Sequence, residues 1–259
     1  MSAEVTLGEV AATLALVAIA AAVSLWRRAE LERDIGLAVL RSFLQLTAVG
    51  YVIQAIFDAD DLWLVAALLA GMVLFGAFTA RSRARAVPRA FGPLLLALGA
   101  AAAITLGLVL ALGVFEAEPR FLVPVGGMVI GNAMTAAAVA LDRLADEVAA
   151  SRRQIEATLA LGATARQAAA GIVTRSLRSG MIPLVDSTKT TGVVFFPGTM
   201  VGMLVAGADP VDAVRLQLIL LWSLLGSVAL SSVIAVSLAQ RRFFTPAHQL
   251  IEPAEPGAR

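Results

Sequence analysis

Cysteine is absent from this sequence, and charged residues are scarce. Without cysteine the chain can form neither a disulfide framework nor a thiolate metal site. Only 15% of the residues are charged, whereas 59% are hydrophobic and the mean hydropathy is +0.86. Such a chain has too few polar groups to cover its surface in water. The composition therefore predicts a membrane protein whose main surrounding partner is the lipid bilayer, with no nucleic acid partner.

The sequence also lacks the residues that ATP hydrolysis and common catalytic sites require. A P-loop needs two glycines before its lysine, but the only lysine, Lys189, follows Ser187 and Thr188. The only histidine, His248, lies near the C-terminus, so it cannot pair with a serine inside the bilayer. We therefore predict that the chain is not an enzyme and binds no cofactor itself. Any ATP hydrolysis would belong to another polypeptide.

Seven apolar runs approach or exceed the roughly 20 residues that a membrane-spanning helix needs. The runs are Val5–Leu25, Ile35–Phe57, Leu62–Ala80, Phe91–Phe115, Phe121–Leu141, Pro183–Gly207 and Val211–Ala239. They predict an all-α polytopic membrane protein with about seven transmembrane helices, forming a single membrane domain over residues 1–259. The sixth run is the least regular, because it contains a Pro-Gly pair.

The charges between the runs alternate in sign. Arginines follow runs one, three, five and seven, whereas acidic residues follow runs two, four and six. Arg120 and Arg215 are the exceptions, and each has acidic neighbours. Since arginine is concentrated in cytoplasmic loops, we predict an outside N-terminus, a cytoplasmic tail at 240–259 and a bacterial inner-membrane location. Glu4 and Glu9 argue against a signal peptide, which begins with a positive region.

The connection from Asp142 to Ile182 is longer than the others and rich in helix-forming residues. Apolar residues recur at roughly helical spacing from Ile155 to Leu177, with arginines between them. Gly162 lies inside this pattern and predicts the end of one helix and the start of another. By itself, the pattern is typical of an amphipathic helix lying on the membrane surface.

The same connection resembles the EAA loop of ABC-transporter permeases. The letters "EAT" at 156–158 are followed after three residues by Gly162, and after nine more by Ile172. In that family the loop is a short helical elbow that docks in a groove of the ATP-binding subunit. The family's Leu-Pro ending is missing, since "TR" stands there. The resemblance implies a partner-coupling role for Glu156, Ala157, Gly162 and Ile172.

Longer stretches resemble the FetB-like iron-export ABC transporter permease family. They are "RSFLQLTAVGYVIQAIF", "VGGMVIGNAMTAAAVALDRL", "TLALGATARQA", "IPLVDSTKTTGVVFFPGTMVGMLVAGADPVDAVRLQLIL" and "FFTPAHQL", between about Arg41 and Leu250. The resemblance implies a permease homodimer that exports a metal ion, iron, with ATP and magnesium on a separate ATP-binding subunit. Thr199 and Leu216 depart from the family's pattern, where methionine and tyrosine are expected.

Polar residues inside the apolar runs are costly in hydrocarbon unless they have partners. Gln45, Asn132 and Gln217 therefore either form hydrogen bonds between helices or line a substrate path. Two G-x-x-x-G patterns, Gly127–Gly131 and Gly198–Gly202, predict faces on which helices pack closely.

Metal ligands are unknown from the sequence. Methionines suit a soft metal, but without cysteine or intramembrane histidine they more simply fill an apolar core. The methionines concerned are Met128, Met134, Met181, Met200 and Met203. If a hard cation such as ferrous iron is moved, Asp186, Asn132 or freed backbone carbonyls are better candidates.

The sixth run begins with an acid and a base, Asp186 and Lys189. Such a pair is typical of a cytoplasmic entry, where lysine reaches the headgroups and an aspartate one turn earlier neutralises it. Further along, Pro197 and Gly198 predict a break that would expose carbonyls at membrane depth, as transporters use to bind ions. The functional interpretation joins these features into one gated path. Its candidate residues are Gln45, Asn132, Asp186, Lys189, Pro197, Gly198 and Gln217.

The sequence thus favours the permease subunit of an ABC exporter, coupled through the segment 142–182 to a separate ATPase. One alternative is a self-contained secondary transporter that couples to protons through Asp186 or another membrane acid. Another is a scaffold that moves nothing and recruits partners through its basic loops.

Overall fold

The computed structural model describes residues 7–27 and 29–251. Glu4, the start of the first run at Val5, and residues 252–259 of the predicted tail lie outside these ranges. The described backbone is helical, with two isolated β-bridges and no strand. The all-α class is therefore confirmed. Contacts divide the chain into two compact units, Met1–Asp60 and Asp61–Arg259.

The described part of the first unit contains three helices, α1 (Leu7–Ala12), α2 (Leu14–Arg27) and α3 (Glu32–Ala59). Ser24 fixes the turn between α2 and α3. Its Oγ donates to Glu32 Oε1 at 2.8 Å and accepts the Leu31 N–H at 3.1 Å. Most side chains of α3, including that of Gln45, are exposed, whereas Ile56 is buried. In a bilayer such an apolar surface faces lipid or another helix.

The second unit contains seven α-helices in its described part. They are α4 (Leu62–Arg83), α5 (Phe91–Ala111), α6 (Pro119–Ala150), α7 (Arg152–Ala160), α8 (Ala165–Thr190), α9 (Gly198–Val205) and α10 (Pro210–Gln240), followed by a 3-10 turn at Arg241–Phe243. Helix α10 packs against α5, α6 and α8, and α6 packs against α4, α5 and α8. The α6–α10 pair therefore forms the centre of this unit.

Small side chains bring α6, α8 and α10 together. On α10, Ser227, Ser231 and Ser232 are fully buried, and Ser231 Oγ donates to the carbonyl of Ala133 on α6 at 3.3 Å. Where Gly180 of α8 meets the other two helices, its lack of a side chain leaves room for their backbone and side-chain atoms. Since lipid is as apolar as a helix surface, this close packing is what holds helices together in a membrane.

Six helices in the described part are long and apolar enough to cross a membrane, judged by length and composition. Six of the seven predicted runs thus correspond to spanning helices. The run Pro183–Gly207 differs, because its first residues end α8, its middle forms a turn and its last part is the short helix α9. Pro183 lies inside α8 rather than at the start of a helix.

The predicted segment 142–182 is helical, but it is not a separate element. Helix α6 continues past Leu141 to Ala150, and α8 begins at Ala165 and passes beyond Ile182. Only α7 and the turn after it belong to the segment alone. The segment therefore connects two long helices of the second unit directly.

Candidate functional site: a coupling elbow and a polar cleft

A short helix and a tight turn lie between α6 and α8, and we call residues 152–164 the elbow. Gly162 forms the turn with φ +89°, a backbone conformation that residues other than glycine rarely adopt. Its N–H donates to the Leu159 carbonyl at 2.9 Å, closing α7. Thr164 and Gln167 then begin α8 with a reciprocal capping box. The prediction that Gly162 ends one helix and starts another is confirmed.

Two buried isoleucines anchor the elbow. Ile155 of α7 and Ile172 of α8 are 1% and 3% exposed. They belong to the hydrophobic cluster that also contains Leu144 and Val148 of α6 and Phe243. Ile172 therefore holds the elbow in place and does not present a surface to a partner.

The other three predicted coupling residues lie on the surface. Glu156, Ala157 and Gly162 are exposed, and Glu156 Oε1 forms an ion pair with Arg152 Nε at 2.9 Å. Leu161, which the sequence motif did not identify, is 89% exposed beside the Gly162 turn. An apolar residue next to a predicted turn glycine is the signal that could have identified Leu161. The resemblance to the EAA loop rested on other positions.

An ion-pair cluster braces α6 against α8 near the elbow. Glu147 Oε2 accepts hydrogen bonds from Arg175 Nε and Nη2, at 2.8 and 2.7 Å. Arg143 on α6 pairs with the other oxygen of the same carboxylate. Because two N–H groups of Arg175 donate to the same carboxylate oxygen, the contact restricts the orientation of the guanidinium group as well as its distance.

The chain after α10 folds back onto the start of α8. Thr245 N–H donates to the Gln249 carbonyl, and Ile251 N–H donates to the Phe243 carbonyl, each at 2.8 Å. His248 Nδ1 accepts the backbone N–H of Ala165 at 3.3 Å. We call residues 243–251 the tail hairpin. The sequence predicted only a tail here, because contacts so distant along the chain leave no local pattern.

A cleft of about 210 Å³ opens between α6, α8 and α10 in the second unit. Its lining includes Asn132 and Thr135 of α6, together with Gly180, Pro183 and Ser187 of α8. Asn132 Nδ2 donates to the Met128 carbonyl of its own helix at 2.9 Å, and Asn132 thus forms no hydrogen bond to a second helix among the described residues. Of the seven path candidates, Asn132 alone is in the lining.

The acid–base pair at the end of α8 forms as the sequence suggested. Lys189 Nζ donates to Asp186 Oδ1 at 2.9 Å, and both side chains are more than half exposed. After Thr190 the backbone turns at Gly192, whose φ is +82° and whose N–H donates to the Phe195 carbonyl at 2.9 Å. The break in run six is thus an ordered turn and not a proline kink.

Pro197 and Gly198 lie at the far side of this turn. Pro197 is the N-cap residue of α9, and Gly198 is the first residue of that helix. The predicted break in run six is therefore present, but it begins before Pro197, since α8 has already ended at Thr190. Thr199, the departure from the family pattern, faces Met128 of α6, with Oγ1 at 3.9 Å from Sδ.

Neither Gln217 nor Gln45 is among the residues that line the cleft. Gln217 on α10 is 8% exposed, and its Oε1 has no hydrogen-bond partner within the described chain. Gln45 belongs to the first unit. A side chain at Gly131 or Gly202 would meet nothing within 4 Å in this chain, and one at Gly127 would meet only the Met72 methyl. Close packing at these glycines stays a prediction for a second copy of the chain.

No group of three or more histidine, cysteine, aspartate or glutamate residues that could hold a metal ion occurs in residues 7–27 and 29–251.

The closest helix contacts at glycine occur at Gly126 and Gly180, where an added Cβ would lie less than 3.0 Å from another atom. The G-x-x-x-G patterns identified neither of them. A Cβ on Gly126 would overlap the Leu69 side chain of α4. The G-x-x-x-G motifs therefore did not locate the close contacts between helices.

The apolar helices define a multi-pass membrane protein, which in bacteria is a protein of the inner membrane. The chain belongs to the family described as "Uncharacterised protein family (UPF0014)", which matches residues 7–244. It is 41% identical to the UPF0014 membrane protein STAR2 of Oryza sativa subsp. japonica over 242 residues, or 93% of this chain and 84% of the relative.

Two further relatives have informative names. The probable iron export permease protein FetB of Escherichia coli (strain K12) is 38% identical over 251 residues, or 95% of each chain. Protein ALUMINUM SENSITIVE 3 of Arabidopsis thaliana is 39% identical over 241 residues, or 93% of this chain and 88% of the relative. No solved structure matches the chain. The resemblance to the FetB-like permeases is confirmed, and none of these names is that of an enzyme.

Proposed function

We propose that this chain is the membrane-spanning permease subunit of an ABC transporter. In this proposal two copies pair with two separate ATP-binding subunits, which bind and hydrolyse ATP with magnesium. The transported substrate is a metal ion. Iron is the first ion to test, because a relative that is 38% identical is named a probable iron export permease.

The observation that carries the proposal is the elbow. It presents Glu156, Ala157 and Leu161 on the surface, while Ile155 and Ile172 hold it to the core. A partner that binds the exposed side chains could therefore move the elbow together with α6 and α8, because the buried isoleucines keep it attached to them. This arrangement suits helix-in-groove recognition, in which a short helix with an exposed apolar residue enters a cleft of the partner.

Helix α8 supplies a mechanical connection from the elbow to the candidate path. It runs without interruption from Ala165, next to the elbow, to Thr190, where the ordered turn begins. Along this length it contacts Glu147 through Arg175 and lines the cleft through Gly180 and Ser187. Movement of the elbow would therefore shift one wall of the cleft as a rigid body.

The cleft and the turn are the proposed substrate path. The cleft offers neutral oxygen donors, namely the Asn132 amide and the hydroxyls of Thr135 and Ser187. Pro183 has no N–H to give to the carbonyl of Ser179, so a backbone oxygen also becomes available in α8. Oxygen donors of this kind are suited to hard cations.

The first experiment is affinity purification of the tagged chain in mild detergent with its candidate ATP-binding subunit. A double variant, Glu156→Arg with Leu161→Ser, changes two exposed side chains without altering the Gly162 turn. A control variant, Ala170→Arg with Thr174→Ser, makes matched changes on exposed positions of α8 outside the elbow. We expect the native chain and the control to retain a P-loop ATPase and the elbow variant to lose it.

Retention by all three proteins, or by none, would contradict coupling through the elbow. A second measurement separates the transport mechanisms. The chain and its ATPase are reconstituted in vesicles, and ferrous iron flux is followed with and without ATP. Flux that needs no ATP and stops with a proton uncoupler would replace the ABC proposal with a secondary transporter.

A further inference from the structure

A second and larger cleft lies at the opposite end of α8 from the turn, where α8 begins, α10 ends and the tail hairpin folds back. Its volume is about 550 Å³. We call it the tail cleft, and its polar lining consists of Arg166, Ser237, Gln240, Arg241, Thr245 and His248. Phe244, which is 9% exposed, is part of its apolar wall.

The charge of the tail cleft has one sign. Arg166 and Arg241 both line it, and no carboxylate is part of its described lining. Neither arginine forms an ion pair with any residue in the described part of the chain, whereas Arg143, Arg152, Arg175 and Arg215 do. Two guanidinium groups with no acid among the described residues of the cleft create a favourable place for an anion.

His248 adds a donor whose tautomer the structure fixes. Its Nδ1 accepts the N–H of Ala165, so a neutral imidazole must carry its proton on Nε2. The histidine therefore offers a hydrogen-bond donor from Nε2, in addition to the two arginine side chains. Ser237 and Gln240 supply further neutral donors in the lining.

We propose that the tail cleft binds the phosphate group of an anionic molecule, either a lipid headgroup or a soluble phosphate ester. The planar fork of arginine matches the geometry of phosphate oxygens, and two such forks with a histidine donor can satisfy several oxygens at once. The cleft lies at the end of α10, which is long and apolar enough to cross a membrane, so in a bilayer it would lie near the lipid phosphates. This inference does not depend on the proposed transport function.

The site also adjoins the elbow, because Arg166 is the second residue of α8 and Ala165 holds His248. An acidic side chain of a partner protein is therefore a competing occupant. The phosphate is favoured because α10, which contributes Ser237 and Gln240 to the cleft, is long and apolar enough to span a membrane, and the tail hairpin follows directly after its end. The experiment below treats the acidic partner as an outcome that overturns the proposal.

The test measures ligand binding to the purified full chain in detergent, by thermal unfolding and native mass spectrometry. The probes are inorganic phosphate, glycerol 3-phosphate, short-chain phosphatidylglycerol and, as a zwitterionic control, short-chain phosphatidylcholine. The variant is Arg166→Gln with Arg241→Gln. The matched control is Arg83→Gln with Arg178→Gln, which removes two exposed arginines outside the cleft lining.

We expect the native chain and the control to bind an anionic probe, and the cleft variant to bind it about 30-fold more weakly, since each basic residue near an anionic surface contributes about a fivefold effect. Binding of phosphatidylglycerol alone would identify a lipid headgroup, and equal binding of glycerol 3-phosphate would identify a soluble ester. Equal affinity of both variants for the probes, or no binding to the native chain, would overturn the proposal. So would a cleft variant that loses only the ATPase partner in the co-purification assay.

Discussion

Gly180 of α8 stands so close to α6 that a Cβ built on it would lie 2.7 Å from the carbonyl oxygen of Ala136. The same Cβ would lie 2.9 Å from the Ala140 Cβ and 3.2 Å from Ser232 Oγ on α10. Three helices therefore meet at a position where only a hydrogen atom fits. The contact also forms part of the wall of the α6–α8–α10 cleft.

We predict that Gly180→Ala destabilises the protein, because backbone atoms of α6 must move to admit the methyl group. The expected cost is about 1–3 kcal/mol, the usual effect of overpacking a tight core. Thermal unfolding in detergent measures it as a lower Tm. Gly131→Ala is the matched control, since a Cβ there meets nothing within 4 Å in this chain. Equal Tm values for the two variants would contradict the close contact.

A second prediction concerns the brace between α6 and α8. Removing the charge with Glu147→Gln should weaken both arginine contacts, and Arg175→Gln should remove only the contact between the helices. The pair lies near the surface, so we expect only a small coupling energy between the two side chains. A double-mutant cycle on unfolding free energy measures it. Additive effects of the two substitutions would show that the ion pair does not couple the helices.

A third prediction concerns the turn after α8. Gly192→Ala forces alanine into a positive φ of +82°, at a cost of about 1 kcal/mol. If the turn is part of the transport path, ATP-driven flux in vesicles should fall clearly, although the drop in Tm is small. Gly113→Ala is the control, because Gly113 also has a positive φ, +65°, and open space around it, and it lies outside the proposed path. A flux that falls equally for both variants would remove any special role for the turn.

Gln217 allows a test of packing against function. Its buried Oε1 lacks a partner in the described chain, and such a group costs about 1–3 kcal/mol in a folded protein. We therefore expect Gln217→Leu to unfold at the same temperature or higher. If Gln217 belongs to the path although it is not part of the cleft lining, metal flux should decrease, because the path loses an oxygen ligand. A lower Tm would instead mean that the amide is satisfied in the assembled protein. Unchanged flux would remove Gln217 from the path.

Several features of the fold were predictable because each depends on a short stretch of sequence. The apolar runs predicted the spanning helices, since length and composition decide whether a helix suits a bilayer. Gly162 predicted the turn of the elbow, because few other residues accept its backbone conformation. The Asp186–Lys189 pair was also predictable, as its spacing of three residues places both side chains on one helix face.

The site was harder to predict. Pro197 suggested a break in run six, but α8 ends earlier, at Thr190, where the chain turns through Gly192. A proline in sequence shows only where a helix cannot continue, and it does not show where the preceding helix has already ended. Ile172 matched the coupling motif, yet it is buried and anchors the elbow. The motif marks a position along the chain and does not show which way the side chain faces.

Composition, periodicity and one glycine were enough to predict that this protein lies in a membrane, is helical, and has a helical turn at Gly162, because each of them acts locally. The packed helices were needed to show which glycines form close contacts, which polar residues share a cleft, and how the tail hairpin reaches Ala165 through His248. These relationships join residues far apart in the chain. They depend on how the helices pack, which no single stretch of sequence specifies.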